Sequence, residues 1–337
     1  MNTLPTHAWQ LMYPPLQSHA HGWLEVGDGH QVFWEECGNP LGSPALFVHG
    51  GPGAGCTAND RRWFDPCRYR IVLFDQRGAG RSLPSGRLVA NDTAHLVRDI
   101  ETLRRHLQIE RWLLLGGSWG ATLALAYAQR HAERVQALVL RGVFTATAHE
   151  LNWLYTAQGA ATLQPEAWQR LTRSVAVSQC TDVPGALAAQ LHCGDATVEH
   201  AVARAWLQWE QDLMESEVPN LQWPAQRNLT DDGAGLAMAR IGAHFASHSF
   251  FLEEGQLLLQ AARLRTVPGI MLQGERDRIT PPGAATALQR VWPHSQLQRI
   301  EAAGHASSHP AMAEQLIAAT DHFGAAAIYS PGLPLSA

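Results

Sequence analysis

Short apolar runs that each end in a glycine-rich or polar turn constrain this chain more than any other feature. ALFV at 45–48 runs into HGGPGAG, RIVLF at 70–74 into DQRGAGRS, and WLLL at 112–115 into GGSWG. VQALVL at 135–140 and GIMLQ at 269–273 follow the same plan, and QLQRI at 296–300 reads as a last strand. Runs this short and this apolar read as strands buried on both faces, the habit of parallel sheets. Helical patterns lie between them, at 91–107 with Asn91 or Asp92 as N-cap and at 121–131. The alternation predicts a mostly parallel sheet with helices on both faces. Ahead of it, 22–26 and 31–36 read as a hairpin around the Gly-Asp-Gly turn at 27–29.

The pattern changes between 149 and 248. That stretch is rich in Ala, Gln, Trp and Leu at helical spacing and has no apolar strand run. The expectation is an α/β core domain from residues 1–148 and 249–337, interrupted by an all-helical cap domain at 149–248. Most tryptophans of the insertion are expected to pack its own interior. The tail after Phe323 is expected to be loose.

Charge excludes one class of partner. The chain has 337 residues and a formal charge of −5, and no Lys/Arg run supplies the basic face that nucleic acid requires. Five cysteines, an odd number without a C-x-x-C pair, argue against a disulfide framework or a zinc site and for a reducing compartment. The N-terminus lacks the basic start and apolar core of a signal peptide, and no apolar run approaches the roughly 20 residues of a membrane span. Cytoplasmic residence follows by default, and the sequence leaves the oligomeric state open.

The most informative motif is Gly116-Gly117-Ser118-Trp119-Gly120. It matches G-x-S-x-G in the context that gives the motif meaning, a strand before it and a helix after it. A serine on such a turn is exposed above the sheet, beside the free N–H groups and positive end of a helix. Its hydroxyl needs a base, and the base an orienting acid. Chain order in this arrangement is Ser, then Asp or Glu, then His. After the run at 269–273 come Glu275 and Asp277; after the run at 296–300 come His305 and His309. Asp277 lies further past its strand than Glu275, and His305 follows Gly304 directly after the last strand, whereas His309 precedes Pro310 and starts the final helix. The expected catalytic set is Ser118, Asp277 and His305. Oxyanion donors are expected at the N–H of Trp119 and in the HGGPG turn, at Gly51.

HGGPGAG, DQRGAGRS, GGSWGATLALAYAQ, LVLRGVF, and the WEQ and ARIGAHF segments together resemble the prolyl aminopeptidase (proline iminopeptidase) family. The resemblance runs from about Gly22 to about Phe323. It implies an α/β-hydrolase fold and a cytoplasmic serine peptidase that removes N-terminal proline without a metal or cofactor. The family's triad falls on Ser118, Asp277 and His305, and its oxyanion donors on the HGGPG glycines and Trp119. Family cap glutamates bind the substrate's amine. One falls on Glu210, while the second falls where this chain has Gly242. The proline-ring pocket keeps Phe144 and Trp153, with Leu154 where the family usually has an aromatic residue.

The expected function is a serine aminopeptidase acting on small peptides through an acyl-enzyme, with Glu210 holding the amine. An esterase, amidase or lactonase on the same scaffold is the alternative, favoured by Gly242. A non-catalytic binding protein is a third reading, opposed by the intact Ser118, Asp277, His305 and HGGPG.

Overall fold

The computed structural model describes residues 10–175, 181–218 and 233–328. Strands β1 (Ser18–Gly27) and β2 (His30–Gly38) form the hairpin, longer than the sequence pattern suggests at its outer end. Then follow β3 (Ser43–Val48), β4 (Tyr69–Phe74), α1 (Thr93–His106), β5 (Trp112–Ser118), α2 (Trp119–Arg130) and β6 (Val135–Val143). Five helices come next: α3 (Ala148–Tyr155), α4 (Pro165–Leu171), α5 (Val183–Gln190), α6 (Ala196–Glu217) and α7 (Ala234–Ser247). No strand interrupts them among the described residues. The α/β pattern resumes with α8 (Gln256–Leu259), β7 (Gly269–Gly274), α9 (Gly283–Val291), β8 (Ser295–Ile300) and α10 (Pro310–Ile328).

The eight strands form one sheet in the order β1-β2-β4-β3-β5-β6-β7-β8. β1, β2 and β4 pair antiparallel, and every pairing from β4 to β8 is parallel. The side-chain period of two is plain in β5. Trp112 and Leu114 enter the apolar layer shared with α1 and α2, while Leu113 and Leu115 enter the layer shared with α10. Both faces are buried, which is why these strands read as unbroken apolar runs.

Three local details refine the sequence reading. Asp92, not Asn91, caps α1 by accepting from His95 N at 2.9 Å, and Asn91 instead donates to the carbonyls of Arg77 and Arg87. α2 begins at Trp119, directly after Ser118, so no loop residue separates strand from helix. α10 continues to Ile328, so the expected loose tail cannot begin at Gly324; residues 329–337 lie outside the described residues, as do Cys180 and residues 1–9. Trp168, Trp206 and Trp209 are buried within the helical segment, with Trp168 edge-on to Trp209 and Trp206 stacked on Tyr155.

Candidate active site

Ser118 sits at the end of β5 with φ 58° and ψ −129°. A non-glycine residue with positive φ is strained, and such strain is held only where the surroundings enforce it. Two glycines make the turn possible. A Cβ on Gly116 would lie 2.3 Å from the Gly120 carbonyl oxygen, and one on Gly120 would lie 2.1 Å from the Val48 carbonyl oxygen. Strand, helix and the neighbouring β3 end therefore meet at backbone contact distance.

The HGGPG turn follows β3, which pairs directly with β5. Gln76, two residues past the end of β4, ties this turn to the elbow. Its amide donates to the His49 carbonyl at 2.8 Å, its Oε1 accepts from Trp119 Nε1 at 2.8 Å, and its backbone N–H donates to His49 Nε2 at 3.0 Å. Gly51 and Trp119 border the same cavity as Ser118.

Asp277 and His305 are in contact. His305 Nδ1 lies 2.9 Å from Asp277 Oδ2, and both residues are buried. Asp277 also accepts from Thr280 Oγ1 at 2.8 Å, from Gln273 Nε2 at 3.1 Å, and from the N–H groups of Ile279 and Thr280. Burial pushes its carboxyl up, but facing His305 and these hydrogen bonds outweigh burial and hold it below the usual carboxylate range. Burial and the nearby Arg141 push the His305 imidazole down against the pull of Asp277, so the ring is neutral near pH 7. Because Asp277 uses Nδ1, Nε2 is the nitrogen left for a proton acceptor. Ser118 is the sheet partner of Val143, and the adjacent Gly142 lies against the His305 ring, where a Cβ would stand 3.0 Å from Nδ1. Ser118 Oγ and the imidazole form no hydrogen bond here; in unliganded hydrolases this contact is often long.

The competing residues are elsewhere. Glu275 is exposed and pairs with Arg299 at 3.3 Å. His309 accepts the first turn of α10 through its carbonyl.

The cavity over Ser118 has a volume of about 20 Å³ and is bordered by Phe144, Leu154, Tyr155, Trp206, Glu210 and Gly242 among others. Glu210, on α6, makes no ion pair or hydrogen bond among the described residues, and burial pushes its carboxyl up to about 7. Burial and Glu210 together raise the Tyr155 phenol well above its usual range. At Gly242 a Cβ would stand 3.0 Å from Trp206 Nε1, so an indole N–H occupies the ground facing that position. Glu253 and Glu254, the other acids near this point of the sequence, are both exposed, and Glu254 accepts from Ala148 N.

Trp153 does not join this cavity. Its indole N–H donates to the Arg278 carbonyl at 2.7 Å, and the ring borders a separate cleft with Glu217 and Asp277. Consecutive helical residues diverge by about 100°, so when α3 turns Leu154 onto the cavity it turns Trp153 away.

A profile of the alpha/beta hydrolase fold matches residues 44–310. The chain is 42% identical to a proline iminopeptidase of Xylella fastidiosa over 323 residues, covering 93% of this chain and 99% of that one. The chain belongs to the proline iminopeptidase family of α/β hydrolases. A proline iminopeptidase of Arabidopsis thaliana is 40% identical over 92% of this chain and 81% of its own. Among solved structures, an esterase from Exiguobacterium antarcticum superimposes with a TM-score of 0.60 at 17% identity, covering 89% of this chain and 98% of that one; this likeness is one of fold. Within the family frame, three residues that sequence reasoning missed stand out. Thr280 bonds Asp277 and sits 3.2 Å from His305 Nδ1, and its D-x-x-T spacing is a local signal for such a turn. Gln76 locks the two glycine turns together. Glu217 reaches the His305 loop from α6.

Proposed function

We propose that this protein is a serine aminopeptidase that releases N-terminal proline from small peptides. The observation that carries the reading is Glu210, a half-buried carboxylate with no ion-pair partner among the described residues, bordering the same cavity as Ser118. A carboxylate drawn partly out of water is favoured as an anion by a cation beside it, and a substrate's free amine supplies one.

His305 Nε2 takes the Ser118 proton, and Ser118 Oγ attacks the carbonyl carbon of the substrate's first residue. The N–H groups of Gly51 and Trp119 receive the oxyanion. His305 then protonates the leaving amine, and water, deprotonated by the same imidazole, hydrolyses the acyl-enzyme. Asp277 holds the tautomer and stabilises the imidazolium. Phe144 and Leu154 offer apolar surface to the proline ring. The helical segment 149–248 acts as a cap that closes the site over the core formed by 1–148 and 249–337. Cytoplasmic residence is part of this reading, supported by free cysteines at Cys37, Cys56, Cys67 and Cys193.

The test is hydrolysis of proline and alanine arylamides beside short acyl esters. Proline arylamide is expected to be the best substrate, and loss of cleavage is expected in Ser118→Ala. Ester cleavage with no arylamide cleavage would overturn the reading in favour of an esterase, amidase or lactonase. Gly242 is the observation on that side, because it leaves the cavity with a single carboxylate among the described residues.

A further inference from the structure

Glu217 is the last residue of α6 and is buried. It is not among the residues that border the Ser118 cavity, and the mechanism above does not use it. Its carboxylate nevertheless grips the backbones of both loops that carry the acid and the base. Oε1 accepts from Arg278 N at 2.7 Å, and Oε2 accepts from His305 N at 2.6 Å. The preceding residue adds a third tie, Arg278 donating to Ser216 Oγ at 2.7 Å. From the opposite side, Arg141 on β6 donates to the His305 carbonyl at 2.5 Å. The peptide of His305 is therefore held at both its N–H and its carbonyl. Room for the carboxylate depends on one glycine, since a Cβ on Gly304 would lie 2.0 Å from Glu217 Oε2.

We propose that Glu217 is a positioning residue that sets the Asp277–His305 pair in register with Ser118 and couples that register to helix α6. The proposal rests on the serine-hydrolase reading of the site. Two carboxylate oxygens fit two converging N–H groups, an arrangement that neither an amide nor an alkyl side chain reproduces. Removing it leaves two buried N–H groups without acceptors and frees the loop that holds the base. A small misplacement of a base is felt in the chemical step before it is felt in binding.

Charge supplies a second signature. The charged or titratable groups facing Glu217 are Asp277 and Arg278 from the loop after β7, His305 from the loop after β8, and Arg141 from β6. Burial first, then Asp277, pushes the Glu217 carboxyl up to about 8, against the two N–H bonds and Arg278. Below that pH one of its oxygens carries a proton and the double grip is loosened. Above it, both oxygens accept, and a negative charge stands near the imidazolium of the transition state and favours it.

The experiment compares wild type, Glu217→Gln and Gly304→Ala, following proline arylamide turnover and the rate at which a fluorophosphonate labels Ser118, from about pH 6 to 9. Thermal melts verify folding. In Glu217→Gln, kcat and the labelling rate are expected to fall about tenfold with KM changed less than about twofold. Gly304→Ala, which evicts the carboxylate from the other side, is expected to do the same. The wild-type kcat profile is expected to rise a second time near pH 8, and this step is expected to vanish in Glu217→Gln. A merely structural role would lower the melting temperature without removing that step. Wild-type kcat and labelling in a folded Glu217→Gln, or a defect confined to KM, overturns the proposal. Labelling does not depend on the aminopeptidase reading, so an inactive wild type that still labels would sink the substrate assignment and leave this test intact.

Discussion

A half-buried carboxylate beside a nucleophile invites the question of what neutralises it, and among the described residues Glu210 has no ion-pair partner. Its carboxyl titrates at about 7, so it is mostly neutral at pH 6 and mostly charged at pH 8. An amine substrate binds the charged form. KM for proline arylamide is therefore expected to rise about tenfold per unit as pH falls below 7, with steady-state kinetics as the check. In Glu210→Gln, KM is expected to be high and flat across the same range. The same shift has a stability consequence of opposite sense. A carboxyl raised in the folded state destabilises progressively as pH climbs from its unfolded value through about 7. Glu210→Gln should thus melt higher than wild type at pH 8 and equally at pH 4, the binding site having been built against stability. Thr280 poses a simpler case. Its hydroxyl donates to Asp277, and a hydrogen bond to a charged group is worth about 1.5–3 kcal/mol. Thr280→Val is expected to lower kcat about tenfold and leave KM nearly unchanged, because Asp277 would hold the imidazole less firmly.

At the level of elements, the strand–elbow–helix unit is the most demanding piece. Gly120→Ala would press a Cβ into the Val48 carbonyl oxygen, so it is expected to cost about 1–3 kcal/mol in thermal unfolding. Activity is expected to fall roughly a hundredfold, because α2 and its first N–H must back away from β3. This unit was legible from residues because every constraint on it is local: a buried run, two glycines and a helix within a dozen positions. Asp277 and His305 were legible for a related reason, each following a recognisable strand at a distance a loop can span. Glu217 was not. It lies 61 residues before Arg278 and 88 before His305, and nothing near it in sequence marks a helix terminus as an acceptor for distant loops. Trp153 came from the family resemblance, which carries residue identity but not the helical phase that turns its ring towards the Arg278 carbonyl. Gln76 was hidden because a glutamine after a strand has no signature until its neighbours across the sheet are known.

For the molecule as a whole, the space over Ser118 is the telling quantity. The cavity of about 20 Å³ has room for about one water, and a prolyl residue is expected to reach Ser118 only when the helices over it move. α7 is the element expected to give way. Ala237 on α7 faces Gly86 in the core, where a built Cβ would lie 3.3 Å from that of Ala237, close to the separation a disulfide spans. The double variant Gly86→Cys/Ala237→Cys is expected to lose arylamide turnover when oxidised and regain it with a thiol reductant. Full turnover of the oxidised protein would show that substrate arrives without displacing α7. The floor of the site is of another kind. Val48 on β3 and Gly116 on β5 are register partners, and Gly51 and Trp119 each follow their partner by three residues (51 − 48 and 119 − 116). In the proposed mechanism these two amides receive the oxyanion, and the pairing of β3 with β5 sets where each of the two turns that carry them begins. A slip of one residue between these strands would move one turn by some 3.3 Å against the other, so on the proposed mechanism correct pairing of β3 with β5 also aligns its two oxyanion donors.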